Sequence, residues 1–127
     1  MIEPTAAFTL FDKAFSVLGL IREKKLRRTE KIDQALLALY VALTKTRSYI
    51  SELEEGRRPN REKAMVIAQS WNAASVPLRA IDKDLAERCF EKGGYWMNPE
   101  LWDSKRIESK RIKIEDMFEA TRELLKR

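Results

Sequence analysis

Two short segments of this chain carry the side chains best able to bind a charged partner. Residues 22–31 hold six basic and two acidic side chains, and residues 105–113 hold five basic and one acidic. Three aromatic residues precede the second segment. Basic side chains beside aromatic rings are typical of surfaces that hold nucleic acid, phosphorylated ligands or acidic protein segments. The candidate binding residues are Arg22, Lys24, Lys25, Arg27, Arg28, Tyr95, Trp96, Trp102, Lys105, Arg106 and Lys110.

Side chains suited to catalysis are scarce. The chain has no histidine, which excludes a histidine base, a Ser–His or Cys–His pair and an imidazole metal ligand. The single cysteine, Cys89, continues an apolar helical stripe and is predicted to lie in the core. No glycine-rich phosphate loop is present. We therefore predict no catalytic residue, no metal and no cofactor.

Paired carboxylates are the exception to this scarcity. Glu52 and Glu55 are spaced i,i+3 on one predicted helix, and Asp84 and Glu87 are spaced i,i+3 on another. This spacing resembles the acidic motifs of all-helical nucleotide pyrophosphohydrolases, which bind magnesium. The two pairs are predicted to lie several turns apart, so solvated faces that pair with nearby lysine and arginine are the favoured interpretation.

One stretch resembles a DNA-binding element. Residues 46–59, which read TRSYISELEEGRRP, are similar to the recognition helix and following turn of phage-repressor-type helix-turn-helix domains. That resemblance implies that Arg47, Ser48 and Tyr49 face DNA and that Arg57 and Arg58 contact phosphates. The apolar positions from Ile32 to Leu53 nevertheless keep one helical phase through residues 43–46, where that family turns. One continuous helix is therefore predicted, and DNA or RNA binding is an alternative function.

Composition sets the class of protein. The chain has 127 residues, of which 44% are hydrophobic and 35% charged, with a formal net charge of +5. This length predicts a single domain over residues 1–127. The longest uncharged apolar run, residues 35–43, is far shorter than the ~20 residues that a membrane span needs. With no apparent signal peptide at the N-terminus, a cytoplasmic protein without a membrane partner is expected.

Four segments have helical periodicity, and none alternates as a strand would. The predicted helices cover about residues 4–25, about 26 residues after the N-cap Thr29, about 60–92 after the N-cap Asn60, and about 104–126. Gly56 is placed to end the second helix in a left-handed conformation. The apolar stripe of the third helix passes through Pro77 without losing phase, so we predict one helix kinked at Pro77. A break at Ser75–Pro77 is the alternative.

These helices predict an all-α fold, namely an antiparallel up-down-up-down four-helix bundle. In such a bundle the first and third connections lie at the same end, so the two basic segments and the aromatic residues are expected to converge there. The favoured function is a non-catalytic interaction or adaptor module whose partner is another protein or an anionic ligand. Alternatively, the aromatics cap the core and the charges keep the protein soluble. Pairing of the long stripes between chains would make a homo-oligomer.

Overall fold

A computed structural model of the chain shows five α-helices and one 3-10 turn in the residues that it describes. Backbone is described for residues 3–91, 94–97 and 104–127, and side chains for residues 10–91, 96–97 and 107–127. Those ranges contain no strand, which confirms the all-α class. The helices are α1 (Glu3–Arg22), α2 (Glu30–Glu54), α3 (Arg61–Leu78), α4 (Lys83–Glu91) and α5 (Ser104–Lys126), with the 3-10 turn at Gly94–Met97.

The ends of α2 are where the local sequence predicts them. The Thr29 side chain accepts a hydrogen bond from the Ile32 amide at 3.2 Å, so Thr29 is the N-cap. At the other end Gly56 has a φ of +94°, a conformation that costs glycine little. Asn60 likewise caps α3 by accepting from the Lys63 amide at 3.0 Å. The predicted caps of both helices are confirmed.

Helix α2 is the centre of the packing and lies antiparallel to both α3 and α5. From Arg28, two residues before α2, to Glu54 at its end, the contacts with α5 are Arg28–Leu124, Tyr40–Phe118, Arg47–Glu115 and Glu54–Arg111. Its contacts with α3 run from Thr46–Trp71 to Glu52–Lys63. In both series the residue number of the partner falls as the residue number along α2 rises. Helices α3 and α5 are therefore antiparallel to α2 and parallel to each other.

The single kinked helix predicted over residues 60–92 is wrong, because two helices occupy that range. Helix α3 ends at Leu78, one residue after Pro77, and α4 begins at Lys83. The Asp82 carboxylate accepts a hydrogen bond from the Leu85 amide at 2.8 Å and so caps a new helix. The chain then turns back, since Trp96 stacks on Trp71 near the middle of α3 with 5.5 Å between ring centroids. The alternative, a break at Ser75–Pro77, was placed a few residues too early.

The predicted count of four helices and the up-down-up-down order are not what the structure has. Helix α1 packs against α5 and α4, and α2 packs against α3 and α5. In a simple meander α1 would lie beside α2. Because the chain reverses direction once more between α3 and α4, α1 lies against α5 and α4 instead. Lys13 of α1 reaches the start of α4 instead, with its Nζ 3.4 Å from Asp82 and 3.8 Å from Asp84.

The buried side chains form one cluster that all the described elements share. At its centre the rings of Phe11, Trp71 and Trp96 pack together, and the Trp71 indole donates to the Thr46 hydroxyl at 3.0 Å. Cys89 is fully buried, as predicted, and burial raises the pKa of its thiol to about 12. Within the described ranges, no helix has both the length and the apolarity required to cross a bilayer.

Candidate functional site

The connection between α1 and α2 is built from a defined helix-ending motif. The Lys25 amide donates to the Leu20 carbonyl at 2.9 Å, and the Lys24 amide donates to the Ile21 carbonyl at 3.1 Å. This is the Schellman pattern, in which the residue after the cap takes the left-handed conformation. That residue is Lys24, with a φ of +62°, and it is the one non-glycine residue with positive φ in the described part of the chain. Helix α1 therefore ends at Arg22, three residues before its predicted end.

The basic side chains of this connection fall into two groups. Arg22 and Lys25 flank Glu23 at 3.9 and 3.8 Å, distances at which exposed ion pairs contribute little. A second group, made up of Lys24, Arg27 and Lys31, is exposed and makes no ion pair with the described residues. Lys24 and Arg27 of the connection and Lys31 in the first turn of α2 are thus exposed cations without an ion pair among the described residues.

Arg28 ties this connection to the last turn of α5. Its Nε lies 2.5 Å from the Asp33 carboxylate, and its guanidinium donates to the Leu124 carbonyl at 2.5 Å. Lys126 and Arg127 are therefore close by, and both are exposed. We call residues 22–31 with Lys126 and Arg127 the basic pole. Sequence reasoning missed the last two residues, because only the antiparallel pairing of α2 with α5 brings them to residues 22–31.

The predicted convergence of the two basic segments is wrong. Arg111 pairs with Glu54 at 2.9 Å, so residues 107–113 lie beside the last turn of α2, whereas residues 22–31 end in its first turn. Helix α2 has 25 residues, which at about 1.5 Å per residue separates its ends by about 36 Å. Lys110 is also mostly buried, with 8% of its surface exposed, and is not available as a surface contact. The side chains of Lys105 and Arg106 lie outside the described residues.

Of the three aromatic residues in the predicted site, the structure describes the side chain of Trp96, and that side chain is not on the surface of the basic pole. Trp96 has no exposed surface, since its ring stacks on Trp71 and tilts against Phe11. The prediction that Trp96 contacts a partner at the surface is wrong. Trp96 fits the alternative prediction, in which the aromatic residues cap the core. Trp102 and the side chain of Tyr95 lie outside the described residues.

Residues 46–54 of the segment that resembles a recognition helix are an uninterrupted part of α2, and residues 55–59 follow the end of that helix. Thr46 donates its hydroxyl to the Ala42 carbonyl at 2.8 Å, and the helix runs through residues 43–46 without a turn, as predicted. Arg47 contacts Glu115 at 2.8 Å and covers the Phe118 ring at 4.4 Å, and its hydrogen bond with Glu115 raises its pKa. Tyr49 is buried and accepts from the Asn60 amide at 2.8 Å. Two of the three residues that the resemblance places on DNA are thus engaged within the fold.

Three of the four paired carboxylates lie within 4.0 Å of a basic nitrogen. Glu52 contacts Lys63 and lies 4.0 Å from Arg57, while Asp84 lies 3.0 Å from Arg88. Among the residues for which the structure gives side chains, no group of three or more acidic or thiol ligands is close enough to hold a metal ion. These carboxylates have the surroundings of a solvated, ion-paired surface.

Besides a groove of about 450 Å³ at the last turn of α2, lined by Leu53, Glu54 and the start of α5, two grooves flank the second half of this helix. One, of about 520 Å³, lies between α2 and α5 and is lined by the Arg47–Glu115 and Arg111–Glu54 ion pairs. The other, of about 390 Å³, lies between α2 and α3 and is largely apolar, with Val66 and Ile67 in its lining. Charges in the first groove are already matched inside the fold, whereas the second offers apolar surface.

Comparisons with known proteins identify no matching family model, curated sequence or solved structure for this chain.

Proposed function

We propose that the protein is a non-catalytic interaction module that binds an acidic segment of a partner protein at the basic pole. The observation that carries this proposal is the group of Lys24, Arg27 and Lys31, which are exposed and have no ion-pair partner among the described residues. Exposed cations that no ion pair neutralises attract anionic groups and speed their association.

The backbone at Lys24 supports this proposal independently of the charge count. A left-handed conformation costs an L-residue roughly 1–2 kcal/mol, and glycine avoids that cost. Helix α2 ends in the same hydrogen-bond pattern with glycine at the equivalent position, Gly56. A lysine kept where glycine is conformationally better is the kind of outlier that accompanies a functional requirement for the side chain.

The composition of the pole favours a protein partner over nucleic acid. Glu23 and Glu30 interrupt the basic residues of the pole, whereas a nucleic-acid backbone presents evenly spaced phosphates that a continuous row of cations matches better. Leu20 is partly exposed, and its carbonyl accepts from the Lys25 and Leu26 amides, so apolar surface adjoins the cations. A peptide that combines acidic and apolar side chains fits such a surface better than a uniform polyanion does.

The remaining parts of the proposal concern chemistry and compartment. We assign the protein no catalytic step, because the chain has no histidine and three of its four paired carboxylates, those of Glu52, Glu55 and Asp84, lie in ion pairs. The cytoplasm is the proposed compartment, because a chain with the single cysteine Cys89 has no intrachain disulfide of the kind that stabilises many small secreted domains.

Charge reversal at the pole tests the proposal. The variant carries Lys24→Glu, Arg27→Glu and Lys31→Glu, and its matched control carries Arg58→Glu, Arg61→Glu and Lys83→Glu. The control residues are also exposed, and the formal charge changes by the same amount. Fluorescence anisotropy with a labelled Glu/Leu-containing peptide and with a generic DNA duplex is measured at about 50 mM and about 200 mM salt.

The expected result is peptide binding that the pole variant loses at least tenfold and the control retains. No peptide binding by the wild type at low salt, or equal loss in both variants, would refute the pole as a binding site. Duplex binding that falls steeply with salt, without peptide binding, would replace the proposal with the alternative of nucleic-acid binding.

A further inference from the structure

Arg28 differs from the other basic residues of the pole because two partners hold its guanidinium. One Nη donates to the Leu124 carbonyl at 2.5 Å, and Nε donates to the Asp33 carboxylate at 2.5 Å. The Arg28 side chain is 31% exposed, whereas that of Arg22 is 57% exposed and that of Lys25 is 67% exposed. Arg28 is therefore held in one position, while the basic residues around it are exposed.

The contact with Leu124 anchors the guanidinium to the fold. Leu124 is buried, and its carbonyl lies in the last turn of α5, where basic side chains commonly complete the hydrogen bonding of a helix. Because Leu124 lies 96 positions from Arg28 in the sequence, this bond fixes Arg28 relative to α5 as well as to α2. A side chain that is already fixed loses little conformational entropy when it binds a ligand.

The Asp33 carboxylate shows what the Nε side of this guanidinium binds. Nε and the neighbouring Nη of an arginine form a planar fork, which a carboxylate matches with two parallel hydrogen bonds. In the protein alone this side is occupied by Asp33, whose side chain is 53% exposed. Exposed ion pairs contribute little to stability, so exchanging Asp33 for the carboxylate of a ligand costs little.

We propose that Arg28 is the residue of the basic pole that binds a carboxylate of the partner, and that Asp33 occupies this binding position until the partner displaces it. The role of Arg28 rests on the proposed function, since it requires that an acidic segment binds at the pole. Lys24, Arg27 and Lys31 attract the segment, and Arg28 holds one of its carboxylates in a defined place. Asp33 is thus an internal competitor that lowers the affinity of the pole.

The other acidic residues of the pole do not compete in this way. Glu23 lies 3.9 Å from Arg22 and 3.8 Å from Lys25, distances that are too long for a hydrogen bond. Glu30 is exposed in the same first turn of α2 as Asp33, but it makes no ion pair with the described residues. Glu30 is therefore a matched control for Asp33.

Truncation of the two acidic residues in the first turn of α2 tests the competition. Asp33→Ala removes the competitor, and Glu30→Ala raises the net charge equally without freeing Arg28. Fluorescence anisotropy measures the binding of the labelled Glu/Leu-containing peptide at about 50 mM salt, and circular dichroism verifies folding. We expect Asp33→Ala to bind the peptide about two- to fivefold more tightly than Glu30→Ala does.

A second pair of variants separates the fork from the charge. Arg28→Lys keeps the positive charge but lacks the planar fork, and its control is Arg27→Lys, at an exposed residue without an ion pair among the described residues. Arg28→Lys is expected to weaken peptide binding at least about tenfold, because the paired hydrogen bonds to a carboxylate are lost. Arg27→Lys is expected to change the affinity less than about twofold.

Equal affinities of Asp33→Ala and Glu30→Ala would overturn the role of Arg28 and leave peptide binding at the pole intact. Equal effects of the two lysine substitutions would do the same. If neither the wild type nor any of the variants binds the peptide, the proposed function fails and the role of Arg28 fails with it. If Arg28→Lys does not fold, the comparison of Asp33→Ala with Glu30→Ala decides.

Discussion

At the scale of single residues, the two Schellman turns show that different residue types can adopt the same backbone conformation. The turn after α2 has Gly56 in the left-handed position and the turn after α1 has Lys24, with equivalent hydrogen bonds in both. The glycine is a signal that sequence analysis can use to end a helix, whereas the lysine carries no such signal. This is why the end of α2 was predicted correctly and the end of α1 was placed three residues late.

Replacing Lys24 with glycine is expected to stabilise the fold by about 0.5–1 kcal/mol. Relief of the left-handed strain, roughly 1–2 kcal/mol, exceeds the additional conformational entropy that glycine gives the unfolded chain. Urea denaturation measures the change. Lys25→Gly is the control and is expected to destabilise, because Lys25 does not have a positive φ. If Lys24→Gly is no more stable than the wild type, the backbone conformation assigned to this turn is incorrect.

The buried thiol of Cys89 predicts a specific dependence on pH. Burial raises its pKa from the reference value of 9.0 to about 12, so the folded state favours the protonated thiol. The stability that this preference contributes is complete below about pH 9 and is lost as the pH rises from there toward 12, by about 1.4 kcal/mol per pH unit at most.

Cys89→Ala isolates this effect, because other groups that titrate at alkaline pH are shared with the wild type. The free energy of unfolding of the wild type relative to Cys89→Ala is expected to be constant below pH 9.0 and to decrease above it. Denaturation at about pH 8 and about pH 10.5 provides the measurement. A difference that does not change between these two conditions would contradict the burial of the thiol.

At the scale of elements, the break between α3 and α4 shows the limit of periodicity as a guide. The apolar stripe keeps its phase from Trp71 through Leu78 to Leu85, because α4 also turns an apolar side to the core. Periodicity records which residues are buried, and it does not record whether the backbone between them continues in one direction. The signals that decide the break are Pro77, which lacks a backbone donor, and Asp82, whose carboxylate caps α4.

The α2–α3 pair depends on a buried hydrogen bond that a single substitution can remove. Thr46→Val leaves the Trp71 indole without its hydroxyl acceptor, and burying an unsatisfied donor costs about 1–3 kcal/mol. Thr121→Val is the matched control, since Thr121 is buried but its hydroxyl contacts a carbonyl of its own helix. Chemical denaturation is expected to show a clearly larger loss for Thr46→Val, and equal losses would show that the indole contact contributes nothing.

At the scale of the whole molecule, the direction of α5 decides which charges lie together. A simple four-helix meander would bring residues 105–113 to the α1–α2 connection. The additional reversal after α3 makes α5 start at the opposite end of α2, where Arg111 meets Glu54. The last turn of α5, with Lys126 and Arg127, reaches the connection instead. The proposed binding surface therefore keeps residues 22–31 of the sequence prediction but has Lys126 and Arg127 in the place expected for residues 105–113.

Spin labels on the two basic segments measure this separation directly. Labels at Arg27→Cys and Ser109→Cys, in the Cys89→Ala background, are expected to lie at least ~20 Å apart, because about 15 residues of α5 separate position 109 from the contact with Arg28. A second pair, Arg27→Cys with Lys126→Cys, is expected to be closer. Pulsed dipolar spectroscopy resolves the two distances, and a shorter distance for the first pair would restore the convergence that the sequence predicts.

The sequence by itself determined what depends on neighbouring residues. The all-α class, the caps at Thr29 and Asn60, the end at Gly56, the continuity of α2 and the burial of Cys89 all follow from local hydrogen bonding and helical periodicity. Only the tertiary structure decided the path of the chain after Leu78, the burial of Trp96 and the partners of each basic segment. These depend on contacts between residues far apart in sequence, and one reversal of direction, set by Pro77 and Asp82, changes all of them together.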